Sequence, residues 1–224
     1  MSRLTLNRQD LDTVKSAVQR AESGTSGEIV TAVVGESADY GTFEWIFSII
    51  GGFLYFFVAM FFSDSLQESL MTLSWQYSPR HLLLFYGIST LLVIVLLYML
   101  ANSRWVDRLV VPRKIMTRKV RERAMRHFAE AGVFNTRDRT GILLFISELE
   151  QRVELIADRG INARIKQEQW NQIVTDLVTG IRSGRGVDAI CQALEKCGEL
   201  LSRYFPIKPD DTDELANDLS VLEK

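Results

Sequence analysis

Two long segments in the first half of the chain consist of apolar residues without a single charge. They run from Trp45 to Ser63 and from Leu82 to Ser103. A bilayer's hydrocarbon core requires about 20 apolar residues per helix, and both segments have about that length. The pattern therefore predicts a transmembrane hairpin with helices at about 45–63 and 82–103. The alternative is a pair of buried core helices, which rarely stay free of charge over such a length.

The residues at the ends and in the middle of these segments agree with a membrane anchor. Aromatic rings prefer the headgroup level of a bilayer, and four of them lie near the ends: Trp45, Tyr77, Tyr98 and Trp105. Gly51-Gly52 and Ser89-Thr90 would allow two helices to approach closely. No Asp, Glu, Lys or Arg lies inside either segment. An anchor is therefore expected rather than an ion path or a transporter core, which keep such groups.

Basic residues are distributed unequally around the hairpin. The loop 64–81 has one, Arg80, whereas the stretch after the second segment has nine: Arg104, Arg108, Arg113, Lys114, Arg118, Lys119, Arg121, Arg123 and Arg126. This asymmetry predicts that the two helices cross a bacterial-type inner membrane. The loop then lies outside, and both termini lie in the cytoplasm. Residues 1–40 contain no apolar core of a signal peptide. The basic stretch is either a topology determinant alone or also attracts anionic lipid headgroups.

Outside the hairpin, apolar positions change between helical and strand spacing. Helices are predicted at 7–24, 112–132, 167–181 and 187–205, and strands at 27–34, 140–147 and 152–157. The first two strands are joined by a long crossover and should be parallel, whereas the second and third should form a hairpin. Strands between helices imply a layered α/β domain.

Length and charge set the domain organisation. The chain has 224 residues and a net charge of −2, and about 160 residues outside the hairpin suffice for one domain with its own core. We expect residues 1–40 and 106–206 to form this domain, 41–105 the hairpin and 207–224 an acidic tail. A solvated, partly disordered tail is the default expectation. The alternative is a short amphipathic helix that docks through Leu215, Leu219 and Leu222.

The order of helices, strands and short motifs outside the hairpin resembles that of the TPM domain family. This domain is shared by thylakoid-lumen repair proteins and bacterial membrane proteins. The resemblance covers most of residues 7–40 and 112–206 and rests on these motifs: Thr25-Ser26-Gly27-Glu28, Gly141-Ile142-Leu143-Leu144, Asp158-Arg159-Gly160 and Gly184-Arg185-Gly186. It implies a three-layer α/β/α domain with a small mixed sheet, here interrupted by the transmembrane hairpin. Some relatives are described as acid phosphatases, some bind a divalent cation and others serve as accessory subunits. Many carry a signal peptide and a C-terminal anchor instead.

The candidate chemistry lies at the ends of the predicted strands. Asp158 follows the third strand before a glycine turn, where a carboxylate can bind a metal or polarise a water. Arg159 could hold a phosphate through two hydrogen bonds. Glu28 opens the first strand, so Glu28 and Asp158 are the expected ligands of a divalent cation, Ca²⁺ or Mg²⁺. The alternatives are that Asp158 caps the next backbone segment and that Glu28 is an ordinary acid at a strand end.

Several other kinds of site are not expected. The only histidines are His81 and His127, and the only cysteines, Cys191 and Cys197, are spaced to lie on different faces of a helix. No nucleotide-binding motif is present, and the net charge gives no indication of nucleic-acid binding. Two functions remain open. The first is a binding or accessory module at the cytoplasmic membrane face, with the bilayer and membrane proteins as partners. The second is a metal-assisted, acid-phosphatase-like hydrolase using Asp158, Glu28 and Arg159.

Overall fold

The computed structural model describes residues 6–73 and 78–223. It divides into two compact units: Met1–Ala38 with Lys114–Lys224, and Asp39–Arg113. The first is called the α/β unit and the second the hairpin unit. The elements in chain order are α1 (Arg8–Glu22), β1 (Glu28–Val34), α2 (Gly41–Phe61), α3 (Ser63–Leu73), α4 (Pro79–Ala101), α5 (Arg104–Val110), α6 (Arg113–Glu130), β2 (Gly141–Ser147), β3 (Arg152–Ala157), α7 (Arg159–Asn162), α8 (Gln167–Arg182), α9 (Gly186–Tyr204) and β4 (Ser220–Leu222).

The α/β unit contains a small mixed sheet with the strand order β3-β2-β1-β4. Strands β1 and β2 are parallel, with Glu28 opposite Gly141 at one end and Val34 opposite Ser147 at the other. Strands β2 and β3 form an antiparallel hairpin. These three strands and their directions are as the apolar pattern predicted. The fourth strand, β4, was not predicted and pairs in parallel with the other edge of β1.

Successive side chains along a strand point to opposite sides of the sheet. Alternate residues of β1 and β2 therefore enter two separate apolar clusters. Ile29 and Val33 of β1 join the buried faces of α1, α8 and α9, including the fully buried Trp170. Val30, Ala32 and Val34 instead pack with the apolar stripe of α6. Because both sides of β1 and β2 are covered, these strands are apolar along their whole length.

Helices α1 and α9 approach each other closely in the first cluster. Asn7 and Asp10 form a reciprocal capping box that fixes the start of α1. At the contact with α9, a methyl group on Gly198 would lie 2.6 Å from the Ala21 carbonyl oxygen. Only a glycine permits this spacing, which brings the end of α1 against the sheet.

The acidic tail is ordered along the sheet edge, in place of the expected disordered segment or docked helix. Residues 220–222 form β4 beside Ala32–Val34. Leu219 is 7% exposed and belongs to the cluster of α1, α8 and α9, whereas Leu215 and Leu222 pack against the cluster of α6. The apolar residues of the tail therefore engage both sides of the sheet edge. Two exposed ion pairs also connect the tail to the rest of the α/β unit: Arg137–Asp210 at 2.8 Å and Lys15–Asp218 at 2.9 Å.

The hairpin unit pairs two helices that are long and apolar enough to cross a membrane, spanning Gly41–Phe61 and Arg80–Ala101. Both begin and end a few residues earlier than the apolar runs suggested. Gly51 and Gly52 face Leu97 and Ile94 of α4 so closely that a Cβ atom on either glycine would overlap them. The expected loop contains the helix α3, which the sequence pattern did not indicate.

Aromatic contacts also join α2 and α4. The rings of Trp45 and Tyr98 stack with their centroids 4.3 Å apart. The Tyr86 hydroxyl donates a hydrogen bond of 3.2 Å to the Ala59 carbonyl oxygen. Of the other aromatic residues expected at the membrane surface, Tyr77 and the side chain of Trp105 lie outside what the structure describes.

Candidate functional site

Glu28 is held at the start of β1 by a hydrogen-bonded turn. The Gly27 N–H donates to the Thr25 hydroxyl oxygen at 3.0 Å, and the Thr25 hydroxyl donates to the Phe205 carbonyl at 2.6 Å. The Glu28 N–H donates to the Thr140 carbonyl oxygen at 3.1 Å. These bonds tie the turn to the end of α9 and to the residue before β2. The Glu28 side chain is consequently fixed in a buried position, with 7% of the residue exposed.

A second carboxylate, that of Glu22, lies beside this strand end. Glu22 is the last residue of α1, and its Oε1 atom accepts a hydrogen bond of 2.7 Å from the Ile29 N–H. The close packing of α1 against α9 directs the end of α1 to the start of β1. Two acidic side chains from neighbouring elements thus occupy one corner of the α/β unit.

The acidic tail closes this corner. The Glu214 N–H donates to Glu28 Oε1 at 3.4 Å. A pocket of about 240 Å³ lies between α1, the start of β1 and the tail, and its walls include Glu22, Glu28, Asp213 and Asn217. We call it the carboxylate pocket. Its polar lining is dominated by oxygen atoms, which are the ligands that Ca²⁺ and Mg²⁺ prefer.

Two side-chain oxygen atoms of residues that line the carboxylate pocket have no hydrogen-bond partner. They are Glu28 Oε2 and Asn217 Oδ1, and both are buried. A buried acceptor without a partner costs about 1–3 kcal/mol, and more when it is charged. A proton on Glu28 or a cation in the pocket would remove this cost.

Burial disfavours ionisation of both acids in the carboxylate pocket. Loss of solvation raises the pKa of Glu22 to about 8; the hydrogen bond from Ile29 opposes this shift, and the charges of Glu28 and Asp213 add to it. Burial likewise raises the pKa of Glu28 to about 7, with an opposing hydrogen bond from Glu214 and a further increase from Asp213. Near neutral pH these two carboxyl groups are therefore partly protonated, and a cation would compete with their protons.

Asp158 and Arg159 lie at the same end of the sheet but not in the carboxylate pocket. The Asp158 N–H donates to the Gly141 carbonyl at 2.9 Å, and Glu28 is opposite Gly141 in the register. Glu28 and Asp158 thus flank Gly141 from its two neighbouring strands. Asp158 Oδ1 accepts a 2.6 Å hydrogen bond from the Arg159 N–H and caps α7. This is the capping contact that the sequence left open as an alternative.

The second oxygen of Asp158, Oδ2, is 4.0 Å from Nη1 of Arg139. Asp158 is buried, whereas the Arg159 side chain is exposed. The carboxylate pocket has Glu28 in its wall but not Asp158. Glu28 and Asp158, which were expected to share a cation, are therefore neighbours at one end of the sheet, but only Glu28 lines the carboxylate pocket.

Sequence reasoning identified Glu28 but missed Glu22, Asp213 and Asn217. Tail residues are distant in sequence and have no motif that ties them to β1. Glu22 did offer a signal, since an acid in the last turn of a helix opposes the helix dipole and is unfavourable without a specific partner. Among the described residues, no three His, Cys, Asp or Glu side chains converge to hold a metal. A cation here would need Glu22 and Glu28 together with amide or water oxygens.

Comparison with known proteins gives one informative likeness. No family model and no curated protein matches the chain. Among solved structures, the chain is similar to the NMR structure of the BA42 protein from the psychrophilic bacterium Bizionia argentinensis. The two share 18% sequence identity with a TM-score of 0.57, over 99% of this chain and 100% of that one. At this identity the likeness establishes the mixed α/β fold alone.

Proposed function

We propose that the chain is a two-pass membrane protein of TPM type that works as a binding or accessory module and depends on a divalent cation. In this proposal the α/β unit is a three-layer α/β/α domain at the cytoplasmic face of a bacterial inner membrane. Its partners are the bilayer and other membrane proteins. The carboxylate pocket holds the cation.

The exposed surface of the hairpin unit supports the anchor. Helix α2 contacts α4 through Gly51 and Gly52, and aromatic rings of both helices add to this contact, while large apolar side chains cover the outer surfaces of the two helices. These include Phe53, Leu54, Phe57, Leu91 and Leu92, each more than half exposed. An apolar surface of this size is unfavourable in water and suited to lipid. The distribution of Lys and Arg on either side of the two helices supports cytoplasmic termini.

The single observation that supports the cation most directly is the buried, unpartnered Oε2 atom of Glu28. Glu22 Oε1 already accepts a backbone hydrogen bond, so its position is fixed before any ligand arrives. Asn217 Oδ1 supplies a neutral oxygen from the tail. Two carboxylates, one amide oxygen and bound waters suit a hard cation such as Ca²⁺ or Mg²⁺.

The geometry favours a binding module over a hydrolase. One oxygen of Asp158 caps α7, and Arg159 is exposed outside the carboxylate pocket. A hydrolase needs its acid, its cation and its phosphate ligand to converge on one reacting atom. A binding module needs only a structured surface that a ligand can stabilise. The tail, which lines the carboxylate pocket together with Glu22 and Glu28, provides such a surface. Asp158 and Arg159 do not line the carboxylate pocket, so the phosphatase alternative lacks this convergence.

Calorimetric titration of the full chain in detergent micelles tests the cation. We expect saturable binding of Ca²⁺ or Mg²⁺ with release of protons, because the acids have raised pKa values. Glu28→Gln should weaken binding at least about tenfold. Glu168→Gln, at an exposed acid in the first turn of α8, is the matched control and should bind as the unaltered chain does. Absence of binding, or equal binding by Glu28→Gln, would contradict the proposal.

A further inference from the structure

Helix α6 concentrates positive charge on one side of the α/β unit. It contains seven Lys or Arg residues and two Glu. Helices α1, α8 and α9 are each balanced or slightly acidic, and the whole chain has a net charge of −2. The excess of basic residues is thus a property of α6 rather than of the unit as a whole.

The packing of α6 determines which way these charges face. Val120, Ala124 and Phe128 of its apolar stripe pack against the sheet, and Met116 of the same stripe is also buried. Lys114, Arg118 and Arg121 are spaced three and four residues apart and therefore share one face of the helix. The side chains of Arg118 and Arg121 are each 67% exposed. Met125 lies one turn further along this face and is 48% exposed.

Intramolecular ion pairs leave this face available to a ligand. Arg118 lies 3.5 Å from Glu122, and Arg121 lies 3.4 Å from Glu154. The Arg118–Glu122 pair is exposed on both sides, so it contributes little and exchanges easily. In the Arg121–Glu154 pair only the arginine is exposed, at 67% against 16% for the Glu154 side chain. An anionic surface would compete well for the same guanidinium groups.

The position of α6 in the chain indicates what that surface is. Only residues 102–112 separate the end of α4 at Ala101 from the start of α6, and seven of them form α5. A basic segment joined to a membrane span by so short a linker is within reach of the headgroup layer. An exposed Met among cations suits the boundary between headgroups and acyl chains.

We propose that the face of α6 formed by Lys114, Arg118, Arg121 and Met125 binds anionic phospholipid headgroups of the membrane that the hairpin spans. The three cations contact lipid phosphates, and Met125 inserts between the headgroups. This inference rests on the membrane anchoring proposed above. It goes beyond that anchoring because it requires a preference for anionic lipid.

The test uses the full chain in lipid nanodiscs made either of phosphatidylcholine alone or of phosphatidylcholine with phosphatidylglycerol. A fluorophore is attached at Ala129→Cys, an exposed position one turn after Met125, in a Cys191→Ser background that leaves the buried Cys197. A quencher attached to the lipids reports docking of α6. We expect strong quenching only in discs with the anionic lipid, and its loss at high salt.

Charge variants make the test specific to this face. Each basic residue near an anionic surface contributes about fivefold to binding, so Lys114→Gln with Arg118→Gln and Arg121→Gln should lower the docked-to-free ratio about a hundredfold. The matched control replaces three exposed arginines on other helices, Arg8, Arg20 and Arg182, with Gln, and should leave quenching unchanged.

Two results would overturn the inference: equal quenching in both kinds of disc, or equal loss in the control. A chain that fails to enter nanodiscs would instead contradict the anchoring, so the two failures are distinguishable.

Discussion

Gly52 of α2 lies directly against Ile94 of α4, with no space for a Cβ atom between them. Gly87, on α4, has nothing within 4 Å of the position that its Cβ would take. The two glycines belong to the same hairpin, but only one is at the contact between its helices. This difference allows a direct test of how α2 and α4 pack.

We expect Gly52→Leu to force α2 and α4 apart and to cost about 1–3 kcal/mol in the free energy of unfolding. Gly87→Leu adds the same side chain at an open position and should change that free energy by less than about 0.5 kcal/mol. Thermal unfolding of the detergent-solubilised chain measures both. Equal destabilisation by the two variants would show that α2 and α4 do not pack through Gly52.

Gly198 provides the corresponding prediction for the α/β unit. A Cβ atom there would lie within 3 Å of the backbone of Ala21, which cannot move without displacing α1. Gly198→Ala should therefore destabilise this unit by about 1–3 kcal/mol. A Cβ atom on Gly24 would make an ordinary contact of 3.8 Å with Ser202, so Gly24→Ala is the control. Denaturant unfolding followed by circular dichroism distinguishes the two.

Stability of the cation-free chain should fall with increasing pH. The pKa of Glu22 is raised to about 8 and that of Glu28 to about 7 in the folded chain. A carboxyl group whose pKa is raised on folding stabilises the folded chain. This stabilisation is complete below the pKa of the group in the unfolded chain, near 4.5, and it is lost as the pH rises through 7 to 8. Between pH 5 and pH 9 we expect the free energy of unfolding to fall by more than about 1 kcal/mol.

Glu22→Gln tests the origin of this pH dependence. The amide oxygen of Gln can still accept the hydrogen bond from Ile29, but the side chain cannot ionise. The slope of stability against pH should therefore be smaller in this variant, and added Ca²⁺ should reduce the slope in the unaltered chain. An unchanged slope in Glu22→Gln would assign the pH dependence to other groups.

The tail should detach when its buried leucine is truncated. Leu219 is 7% exposed, whereas Val221, two residues along, is 61% exposed. Leu219→Ala removes buried contacts worth about 2 kcal/mol or more, and local opening of β4 should rise at least about tenfold. Hydrogen exchange of the β4 amides measures this opening. Val221→Ala, the control, should exchange like the unaltered chain, and similar rates in both variants would contradict the docking of the tail.

Much of the α/β unit could be predicted from the sequence because its signals are local. Strand β1 is a continuous apolar run, and the stripe of Met116, Val120, Ala124 and Phe128 has helical spacing. The order of strands and helices then determines which strands are parallel. These expectations depended on periodicity and chain connection, which a single sequence contains.

The tail and the carboxylate pocket could not be predicted in the same way. The three isolated leucines of the tail, Leu215, Leu219 and Leu222, lie among acidic residues. Such a pattern does not distinguish a disordered segment from a strand that pairs with the edge of a sheet distant in sequence. Glu22 and Asn217 are separated by most of the chain, and their proximity follows from the Gly198 contact and the pairing of β4. Capping by Asp158 was predictable as an alternative, but only the geometry shows its contact with Arg159.

Extraction of membrane vesicles at alkaline pH with sodium carbonate is the decisive test of the two-span anchor. Carbonate releases proteins bound at the surface and leaves those whose helices cross the bilayer. We predict that the chain stays with the membrane pellet and that protease added from the periplasmic side leaves its C-terminal half intact. Release into the supernatant, or digestion of that half from the periplasmic side, would contradict a cytoplasmic domain anchored by two spans.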